Sequence, residues 1–469
     1  MELKTLFAGV AYTGNLPKGE ATLVTQDSRR AGPGAVFVCA KGHTTDGHAF
    51  AQKALEAGAA CIVTERPLGL EREVTVESGR KAYALLCANY FGHPAEKLRL
   101  VAVTGTNGKT TVSTVIKQVL EQAGYKAGLI GTVRNEIDQM EVPAKFTTPE
   151  AWDLNALFSR MVLAGCTFAV MEASSQALDQ LRLWGLKFEV GVFTNLTQDH
   201  LDYHGTFENY FAAKKSLFSQ VHTMVVNQDD PYGMRLIAEA HPPQVITYSA
   251  GDDTADYTAR NIQLSAAGVK FPMPGEYSVY NALAAAATAI ALGIDAAKAA
   301  TALNASRGVR GRSEVLYHGA FTILCDFAHT GDAIEKVLAG LAPFVPGRLI
   351  VLFGCAGERD AQKRPLMSKA VVKYADFAIL TSDNPRKENP YDIIKDAEPV
   401  LAASKIKYIA EVDRRAALTK ALEMLREGDV LVLCGKGHED YQAVDGVTLY
   451  LDEHRIVHDW LCEKGLAEG

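Results

Sequence analysis

No two cysteines in the 469-residue chain stand closer than 22 positions. The eight, Cys39, Cys61, Cys87, Cys166, Cys325, Cys355, Cys434 and Cys462, thus contain no C-x-x-C. That excludes a zinc ribbon and a thioredoxin-type redox motif. Most lie in apolar runs such as Val36–Cys39 and Ile323–Cys325, where a reduced cysteine acts as a small hydrophobe. Long hydrophobic runs are also lacking. The longest uncharged apolar stretch, around Asn281 to Ile294, is Ala-rich and too short for roughly 30 Å of hydrocarbon. Glu2 and Lys4 precede any apolar segment, so no signal peptide or membrane insertion is expected and a cytoplasmic, soluble protein is the default. Nor is there a surplus of positive charge: 48 Lys and Arg against 55 Asp and Glu give −7. This argues against a nucleic-acid partner but leaves room for a basic pocket facing an anionic ligand. There is no short-period repeat or long low-complexity linker. At roughly 150 residues per domain, the length suggests about three domains.

What is present is an α/β pattern in three blocks, residues 1–97, 98–308 and 309–469. In the first, Ala35–Ala40 and Ala60–Thr64 read as buried strands around a helical stretch Phe50–Ala57. From residue 98, apolar runs stop abruptly at small or polar residues. Leu98–Val103 precedes Thr104-Gly105, Phe168–Met171 precedes Glu172, Val190–Phe193 precedes Thr194-Asn195, and Met224–Val226 precedes Asn227. The pattern restarts after residue 308. Phe321–Leu324, Leu349–Phe353, Phe377–Leu380 and Val430–Leu433 lead into Asp326, Gly354, Ser382-Asp383 and Gly435–His438. Strands alternating with helices predict parallel sheets with ligand sites beyond their carboxyl ends, here two facing sites on two domains.

The strongest motif is Thr104-Gly105-Thr106-Asn107-Gly108-Lys109-Thr110-Thr111, between a strand and a helix with apolar Val112, Val115, Ile116, Val119 and Leu120. Glycines let backbone N–H groups turn inward around phosphate, and the helix N-terminus adds positive potential. Lys109 would meet the outer phosphates and the Thr110 hydroxyl could ligate Mg²⁺. Val103 stands where the standard motif has its first Gly. A simple Gly turn with an exposed lysine is the bland alternative. Downstream, Glu172, His200 and Lys214 are candidates for an ATP–metal site. His200 and His204 stand four apart, but no His-Glu-x-x-His accompanies them. Each also has an ordinary reading, as a strand cap or a surface charge.

The loop TGTNGKTT resembles that of the Mur ligases, ATP-dependent amide-forming enzymes of peptidoglycan synthesis. Related folylpolyglutamate synthetases usually carry Gly-Ser after the lysine, where this chain has Thr110-Thr111. The resemblance implies three domains: an N-terminal UDP-binding α/β domain, a central P-loop-like ATPase domain and a C-terminal Rossmann-like domain. It implies that Glu172 and His200 hold Mg²⁺ with Thr110, and that Lys214 is carbamoylated by CO₂ to a further ligand. A lysine must be neutral to attack CO₂, and adjacent Lys215 is expected to help depress its pKa. Asn281, Arg312, Asp326 and His329 fit the family's ATP-facing positions.

Other segments resemble the branch that extends UDP-N-acetylmuramoyl-L-alanyl-D-glutamate. Asp27-Ser28-Arg29, Pro33-Gly34 and Lys41-Gly42-His43 look like the UDP-binding domain, implying contacts from Ser28 and His43. Thr147-Thr148-Pro149 and Glu172-Ala173-Ser174-Ser175, with Gln180 and Arg182, match the stretches that bind the muramoyl-dipeptide. Asp383-Asn384-Pro385-Arg386 resembles the signature of meso-diaminopimelate-adding members, with Arg359, Gly435 and Glu439 as further contacts. Diaminopimelate carries one carboxylate more than lysine, which suits a guanidinium fork. Departures from the family pattern are Phe146, Gln176, Phe327 and Gly331. The expected reaction is γ-carboxylate phosphorylation by ATP and attack of the amine, in a monomer whose hinges near residues 97 and 308 move. Lysine addition, a folylpolyglutamate synthetase, a nicotinamide oxidoreductase and a non-catalytic nucleotide-binding module remain as alternatives. The oxidoreductase has no G-x-G-x-x-G to support it.

Overall fold

The computed structural model describes residues 1–42, 45–260 and 275–467. Among them are three mixed α/β units. In the first, β1 (Leu23–Thr25), β2 (Ala35–Val38), β3 (Cys61–Thr64) and β4 (Glu73–Thr75) form a parallel sheet in sequence order. The predicted strands are β2 and β3, buried throughout. The helix between them is shorter than expected, Ala51–Glu56.

The central sheet comprises β5 (Arg99–Thr104), β6 (Ala127–Ile130), β7 (Asn135–Ile137), β8 (Met140–Val142), β9 (Phe168–Glu172), β10 (Phe188–Phe193), β11 (Val221–Asn227), β12 (Gln244–Ser249) and β13 (Tyr257–Thr258). Their order is β13-β12-β11-β10-β5-β9-β6-β7-β8. All pairs are parallel except β6–β7 and β7–β8. That antiparallel edge departs from the all-parallel expectation. Its strands are three residues long and carry Glu136 and Glu141, which suit a margin rather than a sheet centre.

Both faces of this sheet are covered. On one, Phe158, Met161, Phe188, Phe193, Phe211 and Phe218 form a core. On the other, Val112, Val115, Ile116 and Val119 of helix Lys109–Gln122 meet Ala284, Ala285, Ala287 and Ala289 of helix Glu276–Ala291. The alanines let the two helices approach closely, and this brings Asn281 to the phosphate loop. No helix among the described residues is long and apolar enough to cross a membrane.

The third sheet has the order β14-β15-β19-β16-β17-β18. Its strands are β14 (Glu314–His318), β15 (Thr322–Asp326), β16 (Leu349–Cys355), β17 (Phe377–Ser382), β18 (Lys407–Glu411) and β19 (Val430–Cys434). Only β14 runs antiparallel. A hairpin, β20 (Tyr441–Val444) and β21 (Val447–Tyr450), follows.

Arg414 pins this unit together. It is 1% exposed, pairs with Glu453 at 2.8 Å, and donates to the Cys434 carbonyl at 2.9 Å and the Ser382 carbonyl at 3.3 Å. It thereby joins the ends of β19 and β17 to the terminal helix Glu453–Glu463. Breaking a buried pair leaves an uncompensated charge. Arg414→Met is therefore expected to destabilise this unit by about 3–5 kcal/mol. Loss of the exposed Lys395–Asp392 pair through Asp392→Ala is expected to cost less than about 1 kcal/mol. Urea unfolding followed by circular dichroism checks both.

Candidate active site

The phosphate loop lies where β5 hands over to helix Lys109–Gln122, and its shape depends on two missing side chains. Gly105 has φ +147°, and a Cβ there would stand 1.9 Å from Thr194 Oγ1. Gly108 has φ +87°, and a Cβ would stand 2.5 Å from Asn281 Oδ1. The loop is thus clamped between the end of β10 and the Ala-rich helix. Thr194 Oγ1 donates to the Asn107 carbonyl at 2.6 Å, and Asn195 Oδ1 accepts from the Asn107 N–H at 3.0 Å. Thr106 is held by Tyr210, 3.0 Å away, and Thr111 is buried in the first helical turn. Lys109 folds back over the loop and donates to the Gly105 and Thr106 carbonyls at 3.0 and 2.9 Å. Burial pulls its pKa down, opposed by Glu172 and Asp199 and reinforced by Arg312.

Glu172 closes β9 at 1% exposure. Its Oε2 accepts from Thr110 Oγ1 at 3.0 Å and Thr132 Oγ1 at 2.9 Å, and its Oε1 accepts from the Thr132 N–H at 2.8 Å. The neighbouring hydroxyl and carboxylate are hard oxygen donors beside a phosphate loop, so the residues present fit Mg²⁺. Arg312, after the 305–310 linker, reaches Thr110 Oγ1 at 3.1 Å. Its Nε is buried without a hydrogen-bond partner, and its guanidinium lies 4.6 Å from the Phe327 ring centroid. Asp326 accepts from the Ser313 N–H at 2.6 Å and the Ala328 N–H at 2.7 Å. A cavity of about 540 Å³ runs from Thr110 and Glu172 along the linker, past Lys117, Arg307 and Arg310. A second, of about 660 Å³, includes Arg182 but no phosphate-loop residue.

Lys214 is 1% exposed and donates to the Gly105 carbonyl at 2.7 Å. Its ammonium lies 4.6 Å from the Tyr210 ring centroid. Burial lowers its pKa well below the usual ammonium range, and the Lys109 charge adds to this. The expected like charge, Lys215, does not contribute: its side chain points outward to Glu239 at 2.6 Å. Consecutive helical residues diverge by about 100°, so Lys215 cannot share the buried face of Lys214. His200, at φ +52°, lies 3.4 Å from Asp199. Burial lowers its pKa to about 4, aided by Lys109, Lys214 and Lys363 and opposed by Asp199, so it is neutral at physiological pH. His204 instead meets Ser175 Oγ at 2.9 Å.

A second group adjoins Glu172. Thr148 Oγ1 donates to the Glu172 carbonyl at 2.8 Å and accepts from the Ser174 N–H at 3.0 Å; Thr147 Oγ1 lies 3.1 Å from Thr132 Oγ1. Arg182 donates to the Thr148 carbonyl at 2.8 Å and to Gln180 Oε1 at 2.7 Å, and pairs with Glu150 at 3.0 Å. Glu150 also faces Arg80, which reaches Gln26, two residues before Ser28. Ser28 itself lies in a single turn, Ser28–Arg30. His43 lies outside the described residues.

A third group gathers at the ends of β17 and β19. Asn384 donates to Glu439 Oε2 at 2.9 Å, and its Oδ1 accepts from the Ala443 N–H at 2.9 Å. Arg386, at φ +54°, donates to the Gly357 carbonyl at 2.5 Å. A Cβ on Gly357 would stand 2.0 Å from the Pro385 carbonyl oxygen, and one on Gly435 would stand 2.9 Å from Asp383 Oδ2. Arg359 is exposed in the loop after β16.

The sequence reading missed the contacts that seal the cleft. Lys363 donates to Asp199 Oδ1 at 2.5 Å. Asp332 accepts from Asn107 at 2.9 Å and Thr197 at 3.0 Å. His438 is also new. Its Nδ1 is buried without a hydrogen-bond partner, its ring lies 5.1 Å from that of Phe327, and burial lowers its pKa to about 3, with Arg312 and Arg310 adding to the effect. No local pattern announces any of these, because each partner comes from a distant segment. Gly331, a departure from the family pattern, meets a steric need: a Cβ would stand 2.9 Å from the Leu366 carbonyl oxygen.

Comparison with known proteins places the chain as a whole. Residues 20–91 match the Mur ligase family catalytic domain, 103–289 the Mur ligase middle domain, and 311–437 the Mur ligase glutamate ligase domain. The UDP-N-acetylmuramoyl-L-alanyl-D-glutamate–2,6-diaminopimelate ligase 1 of Clostridium acetobutylicum is 42% identical over 485 aligned positions, covering 99% of this chain and 100% of that protein. A solved structure with the same ligase name, at 33% identity and TM-score 0.68, covers 95% of each chain. A folylpolyglutamate synthase structure from Mycobacterium tuberculosis, at 18% identity and TM-score 0.62, covers 75% of this chain and 91% of that one, a likeness of fold. The chain belongs to the Mur ligase family.

Proposed function

We propose that the chain is an ATP-dependent amide ligase that joins meso-2,6-diaminopimelate to the D-glutamyl γ-carboxylate of UDP-N-acetylmuramoyl-L-alanyl-D-glutamate, in peptidoglycan synthesis. The observation that carries this is the clustering of the phosphate loop with the Thr110–Glu172 pair and buried Lys214, with Arg182 joined to Glu172 through Thr148 and the Asp383–Arg386 segment gathered with Glu439 in the third unit. On this reading, residues 1–97 take the UDP moiety through Ser28 and His43. Residues 98–308 take ATP and the dipeptide, and 309–469 take the amino acid.

ATP would lie along Gly105–Thr111 between Asn281, Arg312 and Asp326, with Lys109 leaving its loop carbonyls for the outer phosphates. The γ-carboxylate, held near Thr147, Thr148, Ser174, Gln180 and Arg182, attacks the γ-phosphoryl group, and ADP leaves. The amine, held by Asp383, Asn384, Arg386, Gly435 and Glu439, with Arg359 nearby, attacks the acyl phosphate and phosphate departs. Thr110, Glu172 and His200 would hold Mg²⁺, which offsets charge on the transferring group. Burial favours the neutral amine of Lys214, the form that adds CO₂. The carbamate so formed would be a further oxygen ligand. The protein's part is otherwise orientation and preorganised charge.

Phosphate release with UDP-muramoyl-dipeptide is expected with diaminopimelate and to be slower with L-lysine or L-ornithine. Faster turnover with lysine, or glutamate-dependent ADP release with folate alone, would overturn the assignment. Lys109→Ala should lower kcat by on the order of 10²–10³-fold. Arg386→Ala should lower kcat/KM for diaminopimelate by about 10–100-fold, the worth of a charged hydrogen bond. Lys214→Ala should lose most activity and regain part of it with an added short carboxylate. Full activity without the additive would remove the carbamate from the mechanism.

A further inference from the structure

The Lys436 side chain is wholly buried, and it is the hub of the third group. Its ammonium donates to Asn384 Oδ1 at 2.7 Å and to the Tyr441 carbonyl at 2.7 Å. It also pairs with Glu439 Oε2 at 3.1 Å and Asp383 Oδ1 at 3.2 Å. Asn384, Tyr441 and Glu439 thus take its three N–H groups, and Asp383 is met as an ion pair only. Asp383 Oδ1 is itself buried with no hydrogen-bond partner of good geometry, so its charge is met by the ammonium alone at that oxygen. Lys436 also fixes the Asn384 amide. With Oδ1 turned to Lys436 and Ala443, Nδ2 must face Glu439.

The buried and half-buried charges of this group cancel. Asp383 and Glu439 are negative, Lys436 and Arg386 positive, and nearby Arg414 is neutralised by Glu453 at 2.8 Å, while Arg359 is exposed in the loop after β16 and screened by solvent. A neutral pocket of alternating charge suits an acceptor with as many carboxylates as ammonium groups. Without Lys436 the same pocket would carry one net negative charge at low dielectric, where an unpaired charge weighs most. It would then favour an acceptor with one carboxylate fewer.

We propose that Lys436 is a specificity-determining residue that balances the acceptor pocket and so favours a diamino dicarboxylic acid over a diamino monocarboxylic one. This rests on the acceptor reading above, and it concerns the pocket's total charge rather than direct contact with the distal carboxylate.

The test compares kcat/KM for meso-diaminopimelate and L-lysine, by phosphate release, in wild type, Lys436→Met, Asp383→Asn and the double variant. Lys436→Met should lower the diaminopimelate-to-lysine ratio at least tenfold. Asp383→Asn, which leaves a net positive pocket of nearly unchanged shape, should raise the ratio at least threefold. The double variant should return to within threefold of wild type. Equal loss with both acceptors in Lys436→Met, or an unmoved or lowered ratio in Asp383→Asn, would overturn the proposal and leave Lys436 a structural role. Should Lys436→Met fail to fold, Asp383→Asn and the double variant, which lack the stranded carboxylate, decide alone. Wild-type turnover with neither acceptor would instead overturn the acceptor reading itself, before any variant is considered.

Discussion

Thr110 is one hydroxyl on the first turn of one helix, yet it touches both halves of the cleft. It donates to Glu172 at the end of β9 and accepts from Arg312 across the linker. The loop that presents it is fixed by Gly105 and Gly108, whose missing side chains leave room for Thr194 and Asn281. A side chain at either position would push the loop off β10 or off the Ala-rich helix. The carboxylate, the guanidinium and the loop would then no longer converge. Close backbone approach is thus the constraint on which the site's electrostatics depend.

Three buried cations and the half-buried Arg312 show how differently one fold manages the cost of desolvating charge. Arg414 has a full carboxylate partner and two carbonyls, and serves as a structural tie. Lys436 shares two carboxylates, an amide and a carbonyl. Arg312 has one hydroxyl, an aromatic face and an orphaned Nε at the cleft. Lys214 has the least: one carbonyl and one ring, with another ammonium near enough to oppose its charge. The better compensated Arg414 ties the scaffold together, while the poorly compensated Arg312 and Lys214 lie against the phosphate loop, at Thr110 and at the Gly105 carbonyl.

Much of the architecture was legible because parallel strands buried on both faces leave unbroken apolar runs in the sequence. Leu349–Phe353 and Val430–Leu433 needed no tertiary information, and the phosphate loop announced itself by its strand-to-helix context. The short margins did not: Asn135–Ile137 and Met140–Val142 are too short and too polar to show a period of two. In the site, the motif-borne residues could be named in advance, but their supports could not. Lys436 enters only inside the run Gly435–His438, and neither Asp199 nor Asp332 is singled out. Each gains its meaning from a partner more than 50 residues away, as Lys436 does from Asn384. Lys215 shows the converse: adjacency in sequence suggested a coupling that helical geometry abolishes.

Asp332 bears on how reversibly the cleft can part. Its partners across the seam, Asn107 and Thr197, are neutral, while its one ionic partner, Lys336 at 3.0 Å, lies on the same helix. When the two units separate, the carboxylate keeps its counter-ion and exchanges two neutral donors for water. No charge is stranded on either side. Because neutral donors are little affected by ionic atmosphere, the strength of this part of the seam is set by geometry rather than by the salt around it.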